Sequence, residues 1–218
     1  MESSDAAPRR GRPGYDQSSM LEVIVQVFTD HGYDASSLGM ISNRLGLSKS
    51  AVYHHFASKA EMLEIALERA LGALERVFDE AEGRDTAEGG EREASGRADA
   101  VGQIREIVRA AVLVACEQQP YLILLLRLHG NSDVELRALE RRRALTARLR
   151  AIFERARSEG ALRDDLDPGL AARFTFGLVN SLVEWYRPDG PETPDALADA
   201  VLAYVRSGLR VNEVADFR

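Results

Sequence analysis

Cysteine is nearly absent from this chain: Cys116 stands alone. No intrachain disulfide is possible, and a reducing compartment fits. Long apolar runs are missing too. The longest, Ala110–Cys116 and Tyr121–Leu126, fall far short of the ~20 residues that a membrane helix needs. No N-terminal apolar stretch resembles a secretion signal. The reading is a cytoplasmic protein with no membrane partner. Proline is scarce inside the apolar stretches and β-branched runs are short, while Ala, Leu, Arg and Glu dominate. That composition predicts an all-α fold. Enzyme signatures are also lacking: there is no G-x-S-x-G, no G-x-G-x-x-G, no P-loop and no H-E-x-x-H. The four histidines and the cysteine share no metal-ligand spacing. His54 and His55, as sequence neighbours on a helix, point ~100° apart and make a poor metal pair. No catalysis, cofactor or metal is expected.

A further absence is local. From Ala35 to Ala60 there is no Asp or Glu, but there are Arg44, Lys49, His54, His55 and Lys59. The whole chain carries a formal charge of -7, so this window is an asymmetry. Residues 1–60 hold six Lys/Arg and six Asp/Glu, and the later residues hold the entire acidic excess. A charge-balanced head with basic patches on an acidic body presents its head to nucleic acid.

The pattern of helices follows from caps and periodicity. Residues 1–14 form a polar arm. Asp16 or Ser18 caps a first helix, with Leu21, Ile24, Val25 and Phe28 at helical spacing and Gly32 as its stop. Ser36 or Ser37 caps a second, Leu38–Leu45. Ser48 caps a third, Lys49–His55, after the tight Gly46-Leu47-Ser48 turn. Two short helices on such a turn make a helix-turn-helix, whose second helix fits the DNA major groove. Ser58 and Glu61 open a fourth helix as a capping box. Residues 82–99 contain four Gly, six acids and nothing apolar larger than Ala, which predicts a flexible loop. Five more helices follow: Val101–Gln118, Tyr121–His129, one from the Ser132–Glu135 box to Ser158, one from Asp167-Pro168 to Tyr186, and one from Pro194 to Leu209. The domain reading is an arm at 1–14, a helix-turn-helix at 15–60, and a helical effector-binding and dimerisation domain at 61–218.

The run Gly32-Tyr33, Ser36-Ser37-Leu38, Ile41-Ser42, Leu45-Gly46-Leu47-Ser48-Lys49-Ser50-Ala51-Val52-Tyr53-His54-His55-Phe56, Ser58-Lys59-Ala60-Glu61-Met62-Leu63 resembles the DNA-binding head of the tetracycline-repressor (TetR) family. Ser42 stands where that family often has Ala. The body resembles the family in helix number and order and in Gly160-Ala161-Leu162-Arg163 with Asp167-Pro168. The resemblance implies a nine-helix, two-domain homodimer, paired through its last two helices, that represses transcription until a small molecule enters the body. The Gly-Arg-Pro-Gly-Tyr-Asp arm and the Leu-Gly-Leu-Ser-Lys-Ser core look like actinobacterial members that control aromatic or fatty acid catabolism, many of which sense CoA thioesters. The alternative is a scaffold of the same fold that organises DNA or protein and senses no small molecule.

Candidate residues follow. Ser37, Ser48, Lys49, Ser50 and Ala51 put small and polar groups where helix ends meet DNA. Lys49 can donate to guanine or phosphate, and Tyr53 and His54 can reach phosphate. The resemblance assigns Lys59 to phosphate, and a helix N-terminus is an anion site; the other reading is a solvated lysine. Arg9, Arg10 and Arg12 either enter the minor groove or form an unbound tail. In the body, Tyr121, Leu125, Arg127, His129, Asn180, Glu184, Trp185 and Arg187 are candidates to touch an effector, against the reading of plain core; Trp185-Tyr186-Arg187 either closes a pocket or sits in the dimer seam. Arg137, Arg141, Arg142, Arg143, Arg148 and Arg150 form either a patch for a CoA phosphate or a solvated face of Glu–Arg pairs. Phe174, Leu178, Leu182, Val201, Tyr204 and Val205 are candidates for a seam between two copies, against the reading of intrachain packing alone. A palindromic operator requires such a two-fold pair.

Overall fold

The computed structural model describes residues 16–87 and 100–209, with side chains throughout except at 84–87. The described residues form nine helices and no strand: α1 Gln17–His31, α2 Leu38–Leu45, α3 Lys49–His55, α4 Lys59–Ala87, α5 Ala100–Glu117, α6 Gln119–Leu126, α7 Asp133–Ser158, α8 Pro168–Trp185 and α9 Pro194–Leu209. The all-α expectation is met. Contacts divide the chain into Met1–Met62 and Leu63–Arg218.

In the first unit, each helix starts where a side chain satisfies a free backbone N–H. Asp16 Oδ1 accepts from Ser19 N at 2.7 Å, Ser37 Oγ from Met40 N at 3.3 Å, and Ser48 Oγ from Ala51 N at 3.1 Å. Gly46 ends α2 in the left-handed region, at φ 66°. Its N–H donates to Asn43 O at 3.2 Å and Leu47 N–H to Ser42 O at 3.0 Å, the Schellman pattern that closes a helix and turns the chain sharply. Met20, Ile24, Val25, Phe28, Ile41, Val52 and Phe56 form the core of this unit. Ser42 is buried against that core and spends its hydroxyl on Gly39 O at 3.1 Å. Glu61 reaches past the expected capping-box partner: its carboxylate accepts from Ala57 N, while Ser58 Oγ accepts from Glu61 N at 3.0 Å.

In the second unit, α5 and α8 lie innermost: α5 packs on α6, α7, α8 and α9, and α8 on α5, α6, α7 and α9. Among the buried polar residues of this unit, Gln103, Glu135 and Thr175, the least exposed is Gln103. Gln103 on α5 is 1% exposed; its Nε2 donates to Ala81 O of α4 at 3.2 Å and its Oε1 accepts from Arg155 of α7. Arginines on α7 also bind acids on α4. Arg137 meets Glu64, Arg141 meets Glu68 and grips both oxygens of Glu75, and Arg148 meets Asp79 and Glu82. The basic face of α7 is thus largely consumed by carboxylates, which raise the pKa of Arg141 and Arg148 above the ordinary guanidinium value.

Two element boundaries differ from the sequence reading. Helix α4 continues through Ala87, into the stretch expected to be loop. Gly83 costs only ~1 kcal/mol in a helix interior, and the Arg148–Glu82 pair anchors the turn before it. Residues 88–99 lie outside the described part. Helix α6 begins at Gln119 with Pro120 in its first turn and stops at Leu126 rather than His129. The Glu135 carboxylate explains the early stop. It accepts from His129 N at 3.3 Å, Asn131 N at 3.0 Å and Ser132 Oγ at 3.0 Å, drawing those groups into a tight turn before α7.

Candidate nucleic-acid interface and body sites

Helix α3 has two distinct faces. Val52 and Phe56 are buried, at 0% and 1% exposure, and Lys49, Ser50, Tyr53 and His54 are exposed. Ser50, Tyr53 and His54 recur at i, i+3 and i+4, so they form one outward stripe. Tyr53 is 53% exposed, a large aromatic left open to solvent. Ala51 is half-buried beside them. Ser48 caps the helix and its Oγ lies 2.9 Å from Ser50 Oγ.

Lys49 does not project straight out. A β-carbon on Gly39 would lie 3.7 Å from its Cε, 3.9 Å from its Nζ and 3.6 Å from Ser37 Oγ. The ammonium therefore sits over the first turn of α2, whose N–H groups are the positive end of that helix dipole. Ser37, Gly39 and Lys49 thus lie together next to the exposed stripe of α3. The sequence reading named Ser37 and Lys49 but missed Gly39, because only the fold brings it beside Lys49.

Lys59 departs from both of its sequence readings. Its ammonium donates to Tyr33 O at 2.6 Å, Ser36 O at 2.8 Å and Asp34 O at 3.4 Å, and lies 4.3 Å from the centre of the Tyr33 ring. Three carbonyls occupy its three N–H groups. It is neither an open phosphate donor nor a solvated lysine; it is the brace of the α1–α2 loop. Arg9, Arg10 and Arg12 lie outside the described residues.

The body candidates scatter. Tyr121 and Leu125 are core residues, and Tyr121 OH accepts from Arg69 at 3.1 Å under a cation–π contact of 4.9 Å. Arg127, His129, Glu184, Trp185 and Arg187 are exposed, and Asn180 is half-buried. None of the eight lines the cleft of about 620 Å³ in this unit. Tyr121, Leu122, Leu124 and Leu125 of α6 are buried as plain core.

The seam candidates separate by helical face. Phe174 and Tyr204 are 65% and 73% exposed, and Leu178 is half-buried. Leu182, Val201 and Val205 face the unit's own core, at 2%, 6% and 8% exposure, so they are corrected to intrachain packing. Both sides of α8 and α9 are apolar enough that periodicity does not say which turns inward. The sequence reading missed Leu170, and it left Trp185 between an effector pocket and the dimer seam. Leu170, Phe174, Leu178 and Trp185 run along one side of α8 at i, i+4, i+8 and i+15, while Ala196, Ala200, Tyr204 and Ser207 lie exposed along α9. Exposed apolar surface of this extent marks an interaction face.

Comparison with known proteins covers both units. Residues 14–66 match the family model for bacterial regulatory proteins of the tetR family, and residues 97–209 match that for the tetracyclin repressor-like C-terminal domain. The HTH-type transcriptional repressor KstR2 of Mycobacterium tuberculosis is 30% identical over 203 residues, spanning 91% of this chain and 95% of the relative. The crystal structure of SCO3833, a TetR-family regulator from Streptomyces coelicolor A3, superposes with a TM-score of 0.75 at 39% identity, covering 88% of this chain and 90% of that one. AibR, solved with isovaleryl coenzyme A and operator DNA, shares the fold at a TM-score of 0.64 and 21% identity over 86% of this chain and 96% of its own.

Proposed function

The chain belongs to the TetR family of bacterial transcriptional regulators, and from that premise we propose that it is a cytoplasmic repressor, acting as a homodimer on a palindromic operator until a small molecule releases it. The observation that carries the DNA reading is the exposed stripe Ser50–Tyr53–His54 on a helix whose opposite side, Val52 and Phe56, is locked in the core. Such a helix enters a major groove as a rigid rod. Lys49 with Ser37 at the α2 N-terminus holds a phosphate, and Ser50 and Tyr53 meet the groove. Ser48 and Ala51 allow the backbone close to the duplex.

The repressor reading is supported by the KstR2 relatives, which carry that designation. Dimerisation rests on the stripes of α8 and α9, where two copies related by a two-fold axis cover Phe174 and Tyr204; a palindromic operator requires the two α3 helices about 34–36 Å apart, or a multiple of that. The effector class, an acyl- or aromatic-CoA thioester, draws on AibR and its isovaleryl coenzyme A. An effector that lowers operator affinity tenfold must prefer the released state by ~1.4 kcal/mol.

The test is operator selection from random DNA with the parent, Tyr53→Ala and Lys49→Ala proteins. Lys49→Ala is expected to weaken all duplexes and reduce the salt slope by about one. Tyr53→Ala is expected to lose about tenfold or more on the selected site, at a free-energy cost of ~1–3 kcal/mol. Both variants keep the parent's melting temperature. Parent-like binding by both would remove α3 from the interface.

A further inference from the structure

One cleft in the helical unit has no part in the reading above. Its volume is about 620 Å³, within the ~300–1,000 Å³ typical of small-molecule sites. The first turns of α5, the turn after α7 and the outer half of α9 form its walls. Val101, Ile104, Leu162, Leu202, Val205 and Leu209 supply the apolar lining. The carbonyl of Leu209 accepts from Arg163 N at 3.2 Å, which fixes the end of α9 to the turn after α7.

The charges at this cleft do not cancel. Asp199 is its acid, and it is already spent: Oδ1 accepts from Arg109 at 2.5 Å, while the same guanidinium holds Asp195 at 2.7 Å. Arg105 and Arg206 also line the cleft. Both are exposed, and neither has a hydrogen-bond or ion-pair partner among the described residues. Arg105 lies one turn beyond Val101 and one turn before the committed Arg109 on the same side of α5. On α9, Asp199, Leu202, Ala203 and Arg206 recur at i, i+3, i+4 and i+7, so the free guanidinium follows directly on the apolar wall.

We propose that this cleft binds an amphipathic monocarboxylate, its apolar body against the Ile104–Leu162–Val205 wall and its carboxylate on Arg105 and Arg206. A planar guanidinium fork pairs with two carboxylate oxygens at once. A neutral amphiphile gains the wall alone, and a cationic one meets repulsion. This site stands independently of the DNA reading, because none of its residues belongs to the helix-turn-helix or to the stripe formed by Leu170, Phe174, Leu178 and Trp185 of α8 and Ala196, Ala200, Tyr204 and Ser207 of α9.

The experiment titrates the full-length chain with dodecanoate and, separately, with the dodecyltrimethylammonium cation, by calorimetry below micelle formation. Dodecanoate is expected to saturate a single site per chain and to bind about tenfold or more tightly than the cation. Arg105→Gln with Arg206→Gln should weaken dodecanoate by about tenfold. Ala203→Trp, at an exposed position on the wall, should abolish binding; Ala161→Trp, across the cleft, replaces it if the first variant melts early. Equal affinity for the two amphiphiles overturns the proposal, as does dodecanoate binding that survives both tryptophans. Two further results assign the cleft to another occupant and overturn it as well. Tighter dodecanoate binding by Phe217→Ala means that the chain's own C-terminal segment fills the cleft. A change of oligomeric state in ligand-free Ala203→Trp means that a second copy does.

Discussion

Replacing Phe174 by Asp tests the pairing face at its most exposed ring. A phenylalanine side chain carries about 200 Å² of surface. At 65% exposure, about 130 Å² remains to be covered by a partner, worth ~3 kcal/mol at ~25 cal/mol per Å². A two-fold axis uses the residue twice, so the dimer loses up to ~6 kcal/mol, or about four orders of magnitude in dissociation constant. The new carboxylate adds a desolvation cost to that loss. In the isolated chain the ring packs on little, so the fold should tolerate the change. Sedimentation equilibrium at micromolar concentration is expected to find monomer, with the helical circular-dichroism signal and melting of the fold retained. Operator affinity should fall with it, because one α3 helix alone reads only a half-site. Leu136→Asp on α7 is the control: Leu136 is 53% exposed but lies off the α8 and α9 stripes, and this variant should stay dimeric. A Phe174→Asp protein that remains dimeric and binds the operator like the parent would refute the assignment of this face.

Two other predictions concern the first unit. Lys59→Met removes the donor to three loop carbonyls and should destabilise that unit by ~1.5–3 kcal/mol, the range for hydrogen bonds to a charged group; operator binding and thermal stability should fall together, whereas a phosphate contact would cost affinity alone and lower the salt slope. Asp16 has its carboxyl pKa lowered chiefly by the hydrogen bond from the Ser19 side chain, helped by that from the Ser19 backbone. Its cap is therefore complete above the unfolded carboxyl value, near 4, and is lost as pH falls through the lower folded value. Protection of the first-turn amides of α1, measured relative to their intrinsic exchange rate, should fall as the pH drops below about 4, and Asp16→Asn should remove that pH step.

Much of the fold was readable because local chemistry specifies it. Ser37, Ser48 and Ser132 cap helices, Gly46 takes a conformation that other residues resist, and Pro168 and Pro194 begin helices where a missing N–H costs nothing. Those signals lie within four residues of the feature they control. The outward stripe of α3 was readable for the same reason, since seven residues with one buried face leave little choice. What was not readable depends on distant partners. Lys59 looks like a free cation until the loop at Tyr33–Ser36 folds against it. Arg141 and Arg148 read as a phosphate patch or as members of a solvated face of Glu–Arg pairs, and only the fold supplies their actual partners, the acids of α4. Leu182, Val201 and Val205 resemble Phe174 and Tyr204 in composition, and only the packing of α5 against α8 and α9 separates inward from outward. The cleft beside Arg105 joins segments some sixty and a hundred residues apart, and its one sequence trace is two arginines without an acid at helical spacing.

Gln103 has a consequence for how the bundle finds its order. Greasy helix surfaces slide past one another at little cost, and α5 offers Ile104, Ile107, Val108, Ala111 and Val112 to any neighbour. A chain docked one turn astray would still hide that oil. It would, however, strand an amide in the dark with neither the Ala81 carbonyl nor the Arg155 guanidinium to meet it, at a cost of ~1–3 kcal/mol. The glutamine thus acts as a key that turns in one position, discriminating against shifted assemblies of these three helices during refolding.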